Sequence, residues 1–308
     1  MTVPAATSAR SDFLGAALVI TSAVAFSAKA IFVKLAYGDL TTAARVDPVT
    51  LLTMRMGLAL PLFVFIAWRS SRNTEYSLSQ RDWLLLVGIG LMGYYGASLF
   101  DFWGLMYISA ALERLILFLN PTLVVIFSAL AFGYRIQARD VFALVISYAG
   151  IALVFTHDLS VNRDDVLLGG MLVLMSAILY AGYLVGAGQM IKRVGALRFA
   201  AYASIVSTAA IALHFLLTHD VPVLTGQSTR VWILTGCMAL ISTVLPVVMM
   251  AEGMRRVGSS NAAMMSSIGP IATIFMGNVF LGEPVTTIQL LGAALVMIGV
   301  LAISFKKK

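Results

Sequence analysis

Apolar runs of about 20 residues, the length that crosses a bilayer as a helix, alternate with short polar gaps along almost the whole chain. Read from gap to gap, the pattern predicts helices near Phe13–Tyr37, Pro48–Trp68, Asp82–Trp103, Ser109–Phe132 and Ala138–Phe155. A second set falls near Val166–Gly188, Ala196–Leu217, Arg230–Ala251, Ser260–Leu281 and Thr286–Phe305. The expected fold class is all-α integral membrane, with ten transmembrane helices. The first run is longer than the apolar core of a cleavable leader, and the ten residues before it lack a leader's charge pattern, so it is expected to stay as a helix.

Composition agrees. Of 308 residues, 60% are apolar and 11% charged, too few charges to cover a soluble surface. Mean hydropathy is +0.94. The net charge of +7 is no sign of nucleic acid, because the basic residues sit in the gaps between apolar runs, where they set membrane orientation. With the N-terminus inside, the cytoplasmic segments hold Arg10, Arg69, Arg72, Arg81, Arg135, Arg139, Lys192, Arg193, Arg198, Arg255, Arg256 and Lys306 to Lys308. The opposite loops hold only Arg45, Arg163 and Arg230. Fourteen against three predicts both termini in the cytoplasm of a multi-pass protein of the plasma (inner) membrane.

The two halves repeat each other. Gly104, Pro121, Gly133 and Gly150 correspond to Gly253, Pro270, Gly282 and Gly299, all at an offset of 149. The first helices align at an offset of 154, Leu14-Gly15 with Leu168-Gly169 and Ser22-Ala23 with Ser176-Ala177. The chain therefore divides into a tail (1–12), a first five-helix repeat (13–155) and a second (166–305). Five is odd, so the second repeat must enter the membrane from the opposite side. Inverted repeats characterise secondary transporters, in which one half tips against the other around a central site.

The stretch Ser259–Ile303 carries Gly269-Pro270, Gly282-Glu283-Pro284, Gln289-Leu290-Leu291-Gly292 and Gly299. It resembles the end of an EamA-type domain of the drug/metabolite transporter superfamily. The first half is similar to a more diverged copy, with Tyr134 in the place of Glu283. The aromatic segments Tyr94-Tyr95 and Phe100–Trp103 resemble those of YddG-type exporters of aromatic and other amino acids. The resemblance implies an exporter of small metabolites, most plausibly neutral or aromatic amino acids, working by alternating access.

Ionisable residues inside spanning helices are costly and mark functional interiors. Lys29, Arg55, Asp101, Glu113 and Arg114 all fall in the half of the membrane away from the N-terminus. Asp101 and Arg114 are equidistant from the turn at Tyr107–Ile108 and are expected to pair across it as a structural ion pair. Lys29 and Arg55 lie at similar depth with like charge and need a carboxylate between them, for which Glu113 is the protein candidate. Two readings stay open: a Lys29–Glu113–Arg55 cluster, or a site for a substrate carboxylate. Lys34, near a helix end, is expected to snorkel to the headgroups.

Asn120-Pro121 and Gly269-Pro270 interrupt two helices at matching positions, candidate hinges. Tyr94, Tyr95, Trp103, Tyr180, Tyr183, Met249, Met250, Met264 and Met265 are candidates to line an apolar pocket. Expected site residues are thus Lys29, Arg55, Tyr94, Tyr95, Glu113, Asn120, Tyr180 and Tyr183, with Asp101, Arg114, Pro121 and Pro270 structural. Gly182 with Gly186, and Gly93 with Ala97, are small-residue faces for close helix packing.

Rival readings are weaker. A nucleotide sugar would call for clustered cations without the acids Asp101 and Glu113, whereas an amphipathic drug would suit the same fold. A membrane enzyme would need a nucleophile–base pair or a metal set; the histidines His157, His214 and His219 lack ligand spacing, and Cys237 stands alone. No Walker motif is present. The expected partners are a small-molecule substrate and the lipid bilayer, with proton coupling through Glu113 or Asp101 open, no nucleic acid, no cofactor and no metal.

Overall fold

The computed structural model describes residues 5–38, 46–72, 78–133, 137–161 and 163–304. Tyr134, Arg45, Arg135 and the C-terminal lysines lie outside them. The described chain forms ten long helices: α1 (Ala5–Tyr37), α2 (Pro48–Ser71), α3 (Gln80–Gly104), α4 (Ala110–Phe132), α5 (Ala138–Val161), α6 (Arg163–Val194), α7 (Ala196–Thr218), α8 (Thr229–Val257), α9 (259–281) and α10 (Thr287–Ser304). No strand occurs among the described residues. Nine of the helices are long and apolar enough to span a bilayer, and Thr287–Ala302 of α10 is a shorter apolar helix.

Local chemistry sets the ends. Asp47 accepts from the backbone N–H of Val49 and Thr50 while Pro48 takes the first helical position, which needs no donor. Ser79 and Asp82 form a reciprocal capping box at the start of α3. Gly133 and Gly282 close α4 and α9 in the left-handed conformation at φ +66° and +67°, which a side chain resists. α6 runs to Val194, past the expected Gly188, because helical bonding needs no apolar residues. Asp164 and Asp165 in its first turn and Lys192 and Arg193 in its last complement the helix dipole.

The repeats interlock. α1 packs on α8 and α9, and its counterpart α6 packs on α3 and α4; α2 pairs with α7, and α5 with α10. The close approaches obey the same two-fold relation. A β-carbon added at Gly104 would lie 3.0 Å from the Gly169 carbonyl oxygen, and one at Gly253 would lie 3.1 Å from that of Gly15. Gly150 approaches the Gly292 carbonyl at 2.7 Å in the same sense, and Gly299 that of Ala143 at 2.6 Å. Each glycine thus lets the backbone of the opposite repeat come into contact. Outside this packing, Phe65, Leu84, Leu130, Leu216 and Phe275 are each more than half exposed, an apolar girdle suited to lipid.

The matching interruptions go beyond proline. Leu91–Ala97 in α3 and Leu240–Val244 in α8 are π-helical, starting 149 residues apart. α4 breaks between Leu117 and Asn120, and α9 between Ser266 and Gly269, with Pro121 and Pro270 each in the first turn of the segment that follows. Nothing in residue type announces the π turns, which widen a helix by one residue and often mark functional sites.

Candidate functional site

The interrupted stretches of α3, α4, α8 and α9 meet α1, α2 and α6 around a central cavity of about 380 Å³. Its charged lining comes from Lys29 (α1), Arg55 (α2), Asp101 (α3) and Arg114 (α4). Phe26, Tyr94, Phe118, Tyr180, Val247 and Met250 supply apolar surface, and Ser98, Asn120, Ser176, Ser242, Thr243 and Ser266 polar points. A pocket largely apolar with a few convergent polar groups is the ordinary form of a small-molecule site.

The ion pairs differ from those expected from the sequence. Asp101 does not face Arg114. Its Oδ2 takes the Lys29 ammonium at 2.5 Å, and Glu113 Oε1 lies 3.0 Å from the same ammonium. The Lys29–Asp101–Glu113 cluster is nearly sealed: the Glu113 side chain is 0% exposed, that of Asp101 3% and that of Lys29 16%. A buried charge is tolerable only when paired, and here one cation serves two acids. Equal distance from a turn fixes depth but not the direction in which a side chain leaves its helix, which is why the Asp101–Arg114 expectation failed.

Arg55 is likewise outside that cluster. Its Nε donates to Thr243 Oγ1 at 2.9 Å, and its guanidinium lies 5.3 Å from the Phe102 ring centre. Thr243 in turn donates to the Met238 carbonyl at 2.9 Å, spanning the π turn of α8. Arg114 lies 5.6 Å from the centre of Phe118 and against Gly269 at the break of α9. Among the described residues neither arginine has a carboxylate within 4.0 Å, and Arg55 Nη1, Arg114 Nε and Asn120 Oδ1 are buried without a hydrogen-bond partner.

Of the expected site residues, Lys29, Arg55, Tyr94, Asn120 and Tyr180 line the cavity together, joined by Asp101, Arg114 and Pro121 from the set expected to be structural. Glu113 sits behind Lys29. Tyr95 points elsewhere, its hydroxyl 3.0 Å from His214 Nδ1. Tyr183 stands one layer back, edge-on to Tyr94 at 5.3 Å and stacked on Tyr180 at 5.3 Å. Met250 lines the cavity, whereas Met249, Met264, Met265 and Trp103 do not. Phe26, Phe118 and the serine and threonine hydroxyls were not singled out from the sequence, because such residues are equally common in plain helix packing.

One end of the cavity is closed. The 110–117 half of α4 packs on the 269–281 half of α9, and beyond the breaks the two diverge, residues 120–132 packing on α6 and 259–266 on α1 and α8. At the closed end Lys34 does not snorkel; its ammonium donates to the Ile108 carbonyl at 2.7 Å and that of Leu105 at 3.3 Å. Those carbonyls lie in the turn between α3 and α4. The Tyr37 hydroxyl donates to the Phe102 carbonyl at 2.7 Å. Glu283 Oε1 accepts from the Ala110 N–H at 3.0 Å, joining the α9–α10 turn to the start of α4. Two side chains of α1 and one following α9 therefore hold α3, α4 and the turn between them at this end.

Among the described residues no three His, Cys, Asp or Glu side chains gather as a metal site.

Comparison with known proteins places these features. The model of the EamA-like transporter family matches residues 13–156 and again 167–305. The chain is 30% identical over 298 residues to the uncharacterized transporter YcbK of Bacillus subtilis, covering 95% of this chain and 93% of that one. It is 24% identical to the uncharacterized transporter YyaM of the same organism, over 81% of this chain and 82% of that one. A solved crystal structure with 18% sequence identity has a TM-score of 0.63 over 94% of this chain and 95% of its own, a likeness of fold.

Proposed function

The chain belongs to the EamA-like transporter family, and on that footing we propose that it is a secondary exporter of small metabolites, most plausibly neutral or aromatic amino acids, working by alternating access. The observation that carries this reading is the position of the cavity, at the meeting of the two repeats and beside four helix interruptions that recur at one offset. Paired breaks allow the halves of α4 and α9 to tip while the helices on either side stay rigid.

Charge supports an orientation in the membrane. The excess of basic residues in the N-terminal, α2–α3, α4–α5, α6–α7, α8–α9 and C-terminal segments supports a cytoplasmic side there. The closed end, bearing the α3–α4 and α9–α10 turns, would then face outward, and the state described is inward-facing. In a Cys237→Ser background, a membrane-impermeant thiol reagent should label Thr225→Cys in intact cells and leave Lys192→Cys unlabelled; the reverse pattern would invert the assignment.

The aromatic lining from Phe26, Tyr94, Phe118 and Tyr180 supports an apolar or aromatic side chain on the substrate. Formal charges also favour an acid group: Lys29, Arg55 and Arg114 against Asp101 and Glu113 leave +1 in the site. Proton coupling would run through Asp101 and Glu113. Reconstituted protein offered labelled amino acids under an imposed pH gradient tests both points. Saturable uptake supports the reading, and uptake that ignores the gradient excludes obligatory coupling. Inactivity toward every amino acid would move the proposal to another solute of the same fold.

A further inference from the structure

We infer that Arg114 is the residue that recognises the substrate's carboxylate, and that position 269 is glycine in order to admit its guanidinium. This deepens the transport reading above and rests on it. Of the three cations lining the cavity, Lys29 is already taken by two carboxylates, at 2.5 and 3.0 Å. Arg55, whose Nη1 is also unpartnered, is held through its Nε by Thr243 and lies over Phe102, whereas no hydrogen bond to Arg114 is seen among the described residues. Arg114 has no protein acid within ion-pair distance among the described residues, and its Nε is buried with nothing to donate to.

A buried, unused guanidinium donor is expensive. It is explained if a ligand completes it, and a carboxylate matches the planar fork best.

The setting fits this role. Phe118 covers the guanidinium from its own helix, which leaves the edge of the fork for hydrogen bonding. On the other side Arg114 lies on the backbone of α9 at its break. A β-carbon at Gly269 would stand 2.8 Å from Nη2 and 3.3 Å from Nε, closer than a carbon can sit without displacing the group. The matching position in the first repeat, Asn120, carries a side chain, so the fold itself does not demand glycine there. The Gly269 carbonyl is also held by Ser27 Oγ at 3.1 Å, which ties the spot to α1. A carboxylate on Arg114 would therefore sit where α4 and the broken α9 meet, able to sense whether the two are apart or together.

The experiment measures uptake and binding of L-phenylalanine, 3-phenylpropionate and phenethylamine by purified and reconstituted protein. The wild type is compared with R114K, R114Q and G269A. Losing one partner of a desolvated charge pair weakens binding by tenfold or more. R114Q should bind phenylalanine and phenylpropionate at least about tenfold more weakly, with phenethylamine unchanged. R114K should recover part of the loss, and G269A should weaken the two acids severalfold while leaving phenethylamine binding unchanged. If R114Q fails to fold, R114K and G269A carry the same comparison. Phenylalanine binding unaffected in all Arg114 and Gly269 variants would overturn the inference while leaving transport intact. A wild-type protein that moves phenethylamine but neither acid would also overturn it, and one that moves none of the three would remove the aromatic amino-acid reading beneath it.

Discussion

The first repeat and the second share a backbone and divide the chemistry unequally. Both have a π turn, a broken fourth helix, a left-handed glycine after it and a glycine pressed on the opposite repeat's first helix. Yet where the first repeat has Lys29, Asp101, Glu113, Arg114 and Asn120, the corresponding second-repeat positions are Tyr183, Met250, Ala262, Ala263 and Gly269. The duplicated features are those that bend helices and bring them together. The unduplicated ones are the charged and amide side chains that line the central cavity or stand directly behind it. A symmetric frame is what two interchangeable conformations require, whereas a small asymmetric solute needs its charged contacts only once.

The largest effect that separates the repeats should come from the charge cluster. Lys29→Met would leave Asp101 and Glu113 buried without their cation, at a cost of about 3–5 kcal/mol. Tyr183→Phe at the matching position should cost about 1 kcal/mol, one hydrogen bond. Thermal unfolding in detergent micelles reads both, and equal losses would mean the asymmetry has no energetic meaning. Next come the features the repeats share. Gly104→Ala and Gly253→Ala should each cost about 1–3 kcal/mol, since each β-carbon meets the other repeat's first helix. Their losses should agree within about 0.5 kcal/mol and add in the double variant. A large disparity would break the two-fold relation at the level of energy. Smallest, Gly133→Ala and Gly282→Ala should each lower stability by about 1 kcal/mol through the left-handed backbone alone, leaving substrate affinity unchanged in a binding assay.

The frame was legible in advance because its requirements are local and recur. A spanning helix needs an unbroken apolar run, so all ten could be counted. The glycines at one offset were visible because close approach of two backbones forbids a side chain in both copies. Glu283 was visible only as part of a motif; that it caps α4 of the other repeat required the packed molecule. The π turns escaped entirely, since no residue type encodes an extra residue in a helical turn.

The site was half legible. Intramembrane charge singled out Lys29, Arg55, Asp101, Glu113 and Arg114, and four of them line the cavity with Glu113 directly behind. Their pairing was not. Asp101 turned to Lys29, leaving Arg114 with no acid within ion-pair distance among the described residues, and Tyr95 turned away to His214. By itself the sequence determined the number of long apolar helices, the duplication and the position of each charge along its helix, because these follow from distance along a chain of fixed rise per residue. Only the tertiary structure decided which charges meet, since that depends on the rotation of each helix about its axis and on which helix lies beside it.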